Sequence, residues 1–360
     1  MKSTEKHSDE KAAPKAAPEV KLGIAVIGLG MAVQPHAQAL LALADSATFI
    51  AGFSPSAERR AAFESTYGLA TVDSEATLLE DPRVDVVLVL TPPLSHAEVA
   101  LRAARAGKHV LVEKPLDVDL PKARELVAAF GQEDRALGVV FQHRFRECPM
   151  TLKKLLDEGA MGDLLSVSAS VRWWRSREYF TQPGRGMRAR DGGGVLLTQA
   201  VHTLDLLLYL VGPATSVAAR CSSSGLRNID TEDVACAVVD YANGAVGVID
   251  ATTVAYPGYP ERIEIAGTHG TALLEGDRLL VQRPGQPLLE VAGTSGGGGG
   301  ADPMAFSPDA HCRLIAEFLE AVRQGREPLN SGRSALPVHA LIDAMLASSA
   351  HGGRTAVTTS

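Results

Sequence analysis

KLGIAVIGLGMAVQPHAQAL, residues 21–40, decides the fold. An apolar, β-branched run ends on Gly28-Leu29-Gly30 and passes directly into a segment of helical period, predicted over 32–44. A strand buried on both faces is continuously hydrophobic. The turn after it puts glycine where backbone must approach a pyrophosphate at a helix N-terminus. The rhythm continues outward. TFIAGF precedes a helix near 56–67, VDVVLVL one near 95–106, HVLVE one near 119–131, and ALGVVFQ closes the series. This alternation predicts an α/β fold with a parallel, Rossmann-type sheet over 21–143, a dinucleotide-binding domain.

Beyond Phe141 the pattern changes. A helix near 147–158 leads into LLSVSASVRWW, an arginine- and glycine-rich loop and a helix near 195–211. DVACAVVDY, AVGVIDATTVA, RIEIAG and TALLEG then follow, separated by short turns such as Ala242-Asn243-Gly244. Such turns favour hairpins, so 144–360 reads as an α+β domain with an antiparallel sheet, closed by helices near 310–324 and 334–349. Residues 1–20 read as a mobile tail and Gly293–Pro303 as a flexible loop.

The 360 residues suggest two domains, and 46% hydrophobic with 21% charged residues is an ordinary globular composition. A net charge of -7 gives no global footprint for nucleic acid or an anionic membrane, and no apolar run is long enough to span a bilayer. The expectation is a cytoplasmic protein that binds neither. Cys148, Cys221, Cys236 and Cys312 are far apart, without metal-ligand spacing, so free thiols and no metal are expected.

At the glycine turn, Gly28, Gly30 and Met31 are candidate cofactor contacts, with Val33 in place of the third glycine of the dinucleotide fingerprint. Roughly twenty positions on, where a carboxylate would bind the ribose 2′-hydroxyl of NAD, stands Ser54. With no acid there and with Arg59 and Arg60 following, the site is read as taking NADP or NAD, NADP being favoured. The alternative is that both arginines are a solvated helix face. Thr91 and Pro92 end a strand at the ligand-facing edge. His96 is either a cofactor contact or a structural hydrogen-bonder beside a helix N-terminus.

Glu113-Lys114-Pro115 ends the next strand at the same edge, where a lysine can reach a substrate oxygen and the cofactor ribose, its direction fixed if Pro115 is cis. Gly192-Gly193-Gly194 precedes a helix with Thr198, His202 and Asp205 at i, i+4 and i+7, one polar stripe on an apolar helix. A stripe of this kind is costly to bury without partners, which places it at a cleft.

Taken together, GxG, TPPxxxH, EKP and GGGxxxTxxxHxxD, in this order, resemble the glucose-fructose oxidoreductase, inositol dehydrogenase and rhizopine-catabolism (Gfo/Idh/MocA) family, over nearly the whole chain from about Lys21 to Val357. The resemblance implies an N-terminal Rossmann domain binding NAD(H) or NADP(H), and a C-terminal domain whose open antiparallel sheet often forms an oligomer interface, hence a homodimer or homotetramer. It further implies that Lys114 is the catalytic lysine, His202 the acid/base and Asp205 an orienting residue; Glu113 and Lys114 are also candidate cofactor contacts. Many members have an aspartate where this chain has Thr198, and a threonine hydroxyl does not titrate near neutrality. Thr198 is accordingly expected to be a hydrogen-bonding partner of His202.

Between Arg172 and Asp191 lie Arg172, Arg175, Arg177, Arg185, Arg188 and Arg190 against only Glu178 and Asp191. Guanidinium binds carboxylate and phosphate bidentately, so Arg185 and Arg188, with Trp174 and Tyr179 for stacking, are candidates for an anionic sugar or hydroxy acid. The alternative is arginine–acid pairing across a subunit interface. The overall expectation is an NAD(P)-dependent dehydrogenase or reductase for a small sugar, polyol or sugar acid. A non-catalytic dinucleotide sensor of the same fold is the competing reading.

Overall fold

A computed structural model describes residues 21–293 and 307–359; the 1–20 tail and most of the Gly293–Pro303 loop lie outside the described residues. The first sheet is formed by β1 (Leu22–Ile27), β2 (Ala47–Phe53), β3 (Thr71–Val72), β4 (Val86–Val89), β5 (His109–Val112) and β6 (Leu137–Val139). The helices between them are α1 (Val33–Ala42), α2 (Ala57–Tyr67), α3 (Glu75–Glu80), α4 (His96–Arg105) and α5 (Leu120–Glu133). All strands run parallel in the order β3-β2-β1-β4-β5-β6. The order reverses between β1 and β4, and the crevice at their carboxyl ends is where such sheets take ligands. Val86, Val87, Leu88 and Val89 are fully buried, as the uninterrupted apolar run requires.

α6 (Glu147–Asp157) leads into the second sheet, whose first strand is β7 (Leu164–Arg172). Short helices α7 (Arg188–Asp191), α8 (Val195–Thr198) and the longer α9 (Val201–Val211) follow. Then come β8 (Ala214–Ser222), β9 (Val234–Tyr241), β10 (Val246–Thr252), β11 (Arg262–Gly267), β12 (Gly270–Glu275), β13 (Arg278–Gln282) and β14 (Leu289–Ala292). Helices α10 (Asp309–Gln324) and α11 (Gly332–His351) precede β15 (Thr355–Ala356). The sheet order is β14-β13-β12-β11-β7-β10-β9-β8-β15, antiparallel except for β7 with β10. The β9–β10 hairpin turns at Gly244, whose φ of 88° suits glycine.

Alternation along β9 and β10 buries Ala235, Ala237, Val239, Ile249 and Ala251 on the inner face. It leaves Val238, Val246 and Val248 about half exposed on the other. Two expectations need correction. The single helix over 195–211 is two, bent by 43° at Gln199-Ala200. The boundary after residue 143 is not a clean cut either. α10 crosses back to the first sheet, where Leu314, Ile315, Phe318 and Leu319 pack with Ile24, Val26, Leu88 and Leu111. Among the described residues no single helix is long and apolar enough to cross a membrane.

Candidate active site

The dinucleotide end is built from backbone. Gly28 has φ 108°, and a Cβ there would lie 2.6 Å from the Leu90 carbonyl, so only glycine lets the turn pass the end of β4. A Cβ at Gly30 would meet nothing within 4 Å, so this backbone is bare to a ligand. No side chain caps α1, which leaves its N-terminal amides to a phosphate. These features fit a dinucleotide pyrophosphate. Met31 is exposed beside them.

At the end of β2, the Ser54 hydroxyl accepts from the Ser56 amide at 3.3 Å, and its carbonyl accepts from Arg60 at 2.6 Å. The Arg59 side chain is exposed, and no carboxylate follows β2 directly. Thr91 and Pro92 follow β4 at the crevice, the Thr91 hydroxyl buried without a partner. His96 is corrected from cofactor contact to brace. It is buried, with Nδ1 2.7 Å from the Pro115 carbonyl and Nε2 2.8 Å from that of Thr91, tying together the loops that end β4 and β5. Burial lowers its pKa.

The reaction end is a cavity of about 320 Å³ lined by Glu113, Lys114, His143, Thr198, His202 and His311 among others. The Lys114-Pro115 bond is cis. The Lys114 ammonium donates to the Thr198 carbonyl at 3.0 Å, linking the two domains across the cavity, and burial lowers its pKa. Behind it, Glu113 accepts from His36 Nε2 at 2.9 Å and from the Lys114 amide at 2.9 Å. Burial pushes this carboxyl up, but the His36 hydrogen bond and the Lys114 charge outweigh it and hold it at about 2. His311, in the first turn of α10, stands edge-on to His36 with centroids 4.9 Å apart, and burial lowers it to about 3. His36, Glu113 and His311 bring one donor atom each within 4.8 Å of one another, a grouping of cation-binding residue types that no sequence spacing announces. Glu113, with one carboxylate oxygen on His36 and the other on the Lys114 amide, braces the backbone that carries Lys114.

Close packing seats the opposite wall. A Cβ at Gly192 would lie 2.1 Å from Val118 and one at Gly194 1.9 Å from the Glu232 carbonyl, so glycine lets this segment press against the loop after Lys114 at one point and against the segment before β9 at the other. The Glu232 carboxylate accepts from the amides of Gly194 and Leu196 at 3.2 and 3.1 Å, capping α8. His202, in the first turn of α9, is buried and stacks on His143 at 4.8 Å. Its Nδ1 is buried without a partner, leaving Nε2 as the ring nitrogen open to the cavity. Burial, then the charge of Lys114, holds its pKa well below the usual imidazole value.

Thr198 lines the cavity but is not the partner of His202. Its hydroxyl donates back to the Gly194 carbonyl at 2.7 Å and lies 2.5 Å from Gln199 Oε1. The helix break after it explains the loss of the expected stripe, and what residue 198 offers the site is its carbonyl. Asp205 faces away, in a buried bidentate pair with Arg144 at 2.5 and 2.7 Å.

In the arginine-rich loop, Tyr179 and Arg185 line the cavity as expected. Trp174 and Arg188 do not. Trp173 and Arg175 line it instead, because side chains continue to alternate past the end of β7 and turn Trp174 away; Arg188 belongs to α7. Arg185 is only loosely held, 3.5 Å from Asp191 and 3.4 Å from Gln182. Its guanidinium lies 5.0 Å from the Tyr179 ring centroid. His143, His311, His36, Trp173 and Arg175 were not singled out as site residues from sequence; for the last two, strand parity was the available signal.

Residues 22–141 match the family model for an oxidoreductase family with an NAD-binding Rossmann fold, and residues 150–273 match the GFO/IDH/MocA C-terminal domain. Inositol 2-dehydrogenase of Rhizobium meliloti is 28% identical over 341 residues, covering 91% of this chain and 96% of that protein. 1,5-anhydro-D-fructose reductase of Ensifer adhaerens is 34% identical over 235 residues, 64% of this chain and 68% of that one. Levoglucosan dehydrogenase in complex with NADH and levoglucosan superposes with a TM-score of 0.85 at 25% identity, covering 95% of this chain and 100% of that one. The WlbA dehydrogenase of Bordetella pertussis, in complex with NADH and UDP-GlcNAcA, does so with 0.82 at 28% identity, covering 94% and 99%.

Proposed function

The chain belongs to the GFO/IDH/MocA oxidoreductase family, and on that premise we propose what its own residues do. It is an NAD(H)-binding oxidoreductase acting between a CH–OH group and the corresponding carbonyl of a sugar, polyol or related small molecule. The Gly28–Gly30 turn and the N-terminus of α1 hold the pyrophosphate, and the bound nicotinamide supplies the hydride acceptor or donor. During oxidation His202 takes the hydroxyl proton at Nε2, and it returns that proton during reduction. The Lys114 ammonium donates hydrogen bonds to the developing alkoxide. The observation that carries this reading is that Lys114 and His202, from different domains, line one cavity at the carboxyl edge of the first sheet. A cationic lysine also favours the neutral, proton-accepting form of the histidine.

The substrate class we propose is a sugar acid or other hydroxy carboxylate, held by Arg175 and Arg185 with Trp173 and Tyr179 beside them. The loose partnering of Arg185 supports it, as does the UDP-GlcNAcA carried by the WlbA relative. The cofactor proposed is NADP(H) as well as NAD(H), with Arg59 and Arg60 facing the 2′-phosphate beside Ser54. We also assign the open sheet face, with Val238, Val246 and Val248, to a second copy of the chain.

Steady-state turnover on paired neutral polyols and their acids, with each cofactor, tests the reading. Higher kcat/KM for the acids with either cofactor is expected. A clear preference for neutral polyols removes the anionic substrate, and absence of turnover with cofactor binding intact returns the sensor.

A further inference from the structure

His143 makes no proton transfer in the mechanism above, yet it is buried directly against the residue that does. It lies in the turn Gln142–Phe145, its ring plane 23° from that of His202. The His143 Nε2 is 2.7 Å from an Arg146 nitrogen, and Arg146 donates to Glu261 Oε1 at 2.7 Å. A guanidinium offers only donors, so His143 Nε2 must accept and its one hydrogen must sit on Nδ1. A second proton would set N–H against N–H. Burial acts in the same sense, as do the nearby charges of Arg146 and Lys114. His143 is therefore a neutral ring in one tautomer.

We propose that the Glu261–Arg146–His143 chain is a positioning device for the acid/base, holding His143 as an uncharged platform on which the His202 ring rests with Nε2 toward the cavity. This rests on the reading of His202 given above. During oxidation His202 becomes an imidazolium, and Lys114 from the β5 loop, Arg146, and His311 from α10 already face it. A neighbour at stacking distance that could also gain a proton would oppose that step. One that cannot lets His202 take the proton alone. Phe141 meets the same ring edge-on, centroids 6.1 Å apart, so His202 is fixed by rings rather than by hydrogen bonds.

His143→Phe keeps a flat, uncharged ring and His143→Ala removes it, so His143→Phe is expected to turn over about tenfold or more faster than His143→Ala. Arg146→Met with Glu261→Gln frees Nε2 to titrate. Turnover relative to the alkaline plateau should then fall about tenfold at the acid end, and adding His143→Phe to that pair should restore the limb. Should His143→Phe be as damaging as His143→Ala while His143→Asn is spared, His143 is a donor to substrate and the platform is overturned. Histidine ¹⁵N NMR of the cofactor-free chain gives a readout that needs no turnover. His143 is expected as the Nδ1–H tautomer from about pH 5 to about pH 9. Finding Nε2–H or an imidazolium overturns the proposal by itself. The expected tautomer in a chain without turnover faults the oxidoreductase reading instead.

Discussion

The dinucleotide end of the crevice is made of backbone, with Gly28 and Gly30 bare of side chains and α1 uncapped, whereas the reaction end is made of buried side chains from both domains. The first can be specified by a few adjacent residues. The second exists only after α9, α10 and the β5 loop have met, and its groups alter one another's proton affinity once they do. Binding and chemistry should thus be separable by mutation.

The largest effect expected is on chemistry alone. Lys114→Ala or His202→Ala should lower kcat by about 10² to 10⁴-fold while cofactor Kd, followed by NAD(P)H fluorescence, stays within a few-fold. Unchanged turnover in both variants would refute their roles.

The glycines invert that pattern. Gly30→Val fills open space, so Tm should hold while cofactor Kd rises about tenfold or more. Gly28→Ala meets the Leu90 carbonyl at a positive φ and should cost about 1–3 kcal/mol in denaturant unfolding. Equal loss of stability in both would erase the distinction between a ligand cradle and a strained turn.

The pH profile sharpens the electrostatic side. Oxidation needs His202 neutral and Lys114 charged, and both pKa values are lowered, His202 by burial and then the Lys114 charge, Lys114 by burial. The acid limb of kcat/KM should therefore fall below the usual imidazole value of about 6.5 and the alkaline limb below the usual lysine value of about 10.4. His202→Ala should abolish the acid limb. The smallest effect belongs to Thr198→Val, which removes a hydroxyl bonded within its own helix but keeps the carbonyl that Lys114 uses. It should cost about 1 kcal/mol in stability and leave kcat within about threefold.

The parallel sheet was legible because buried strands and glycine turns are local patterns, and Lys114 and His202 because their motifs are compact. What escaped reading depends on geometry that those patterns do not contain. Trp173 rather than Trp174 faces the cavity through the parity of a strand's continuation, and Thr198 loses its histidine because the chain bends two residues later. His36, His143 and His311 belong to segments brought together only by packing.

The return of α10 has a consequence for synthesis. The nucleotide-binding half is not finished when the ribosome has released residue 143, because Phe318 and its neighbours have yet to shield Ile24, Val26 and Leu88. A fragment cut at that point should carry an uncovered greasy flank and lack His311. The cofactor domain therefore reaches its mature form only once α10, through Gln324, has been made.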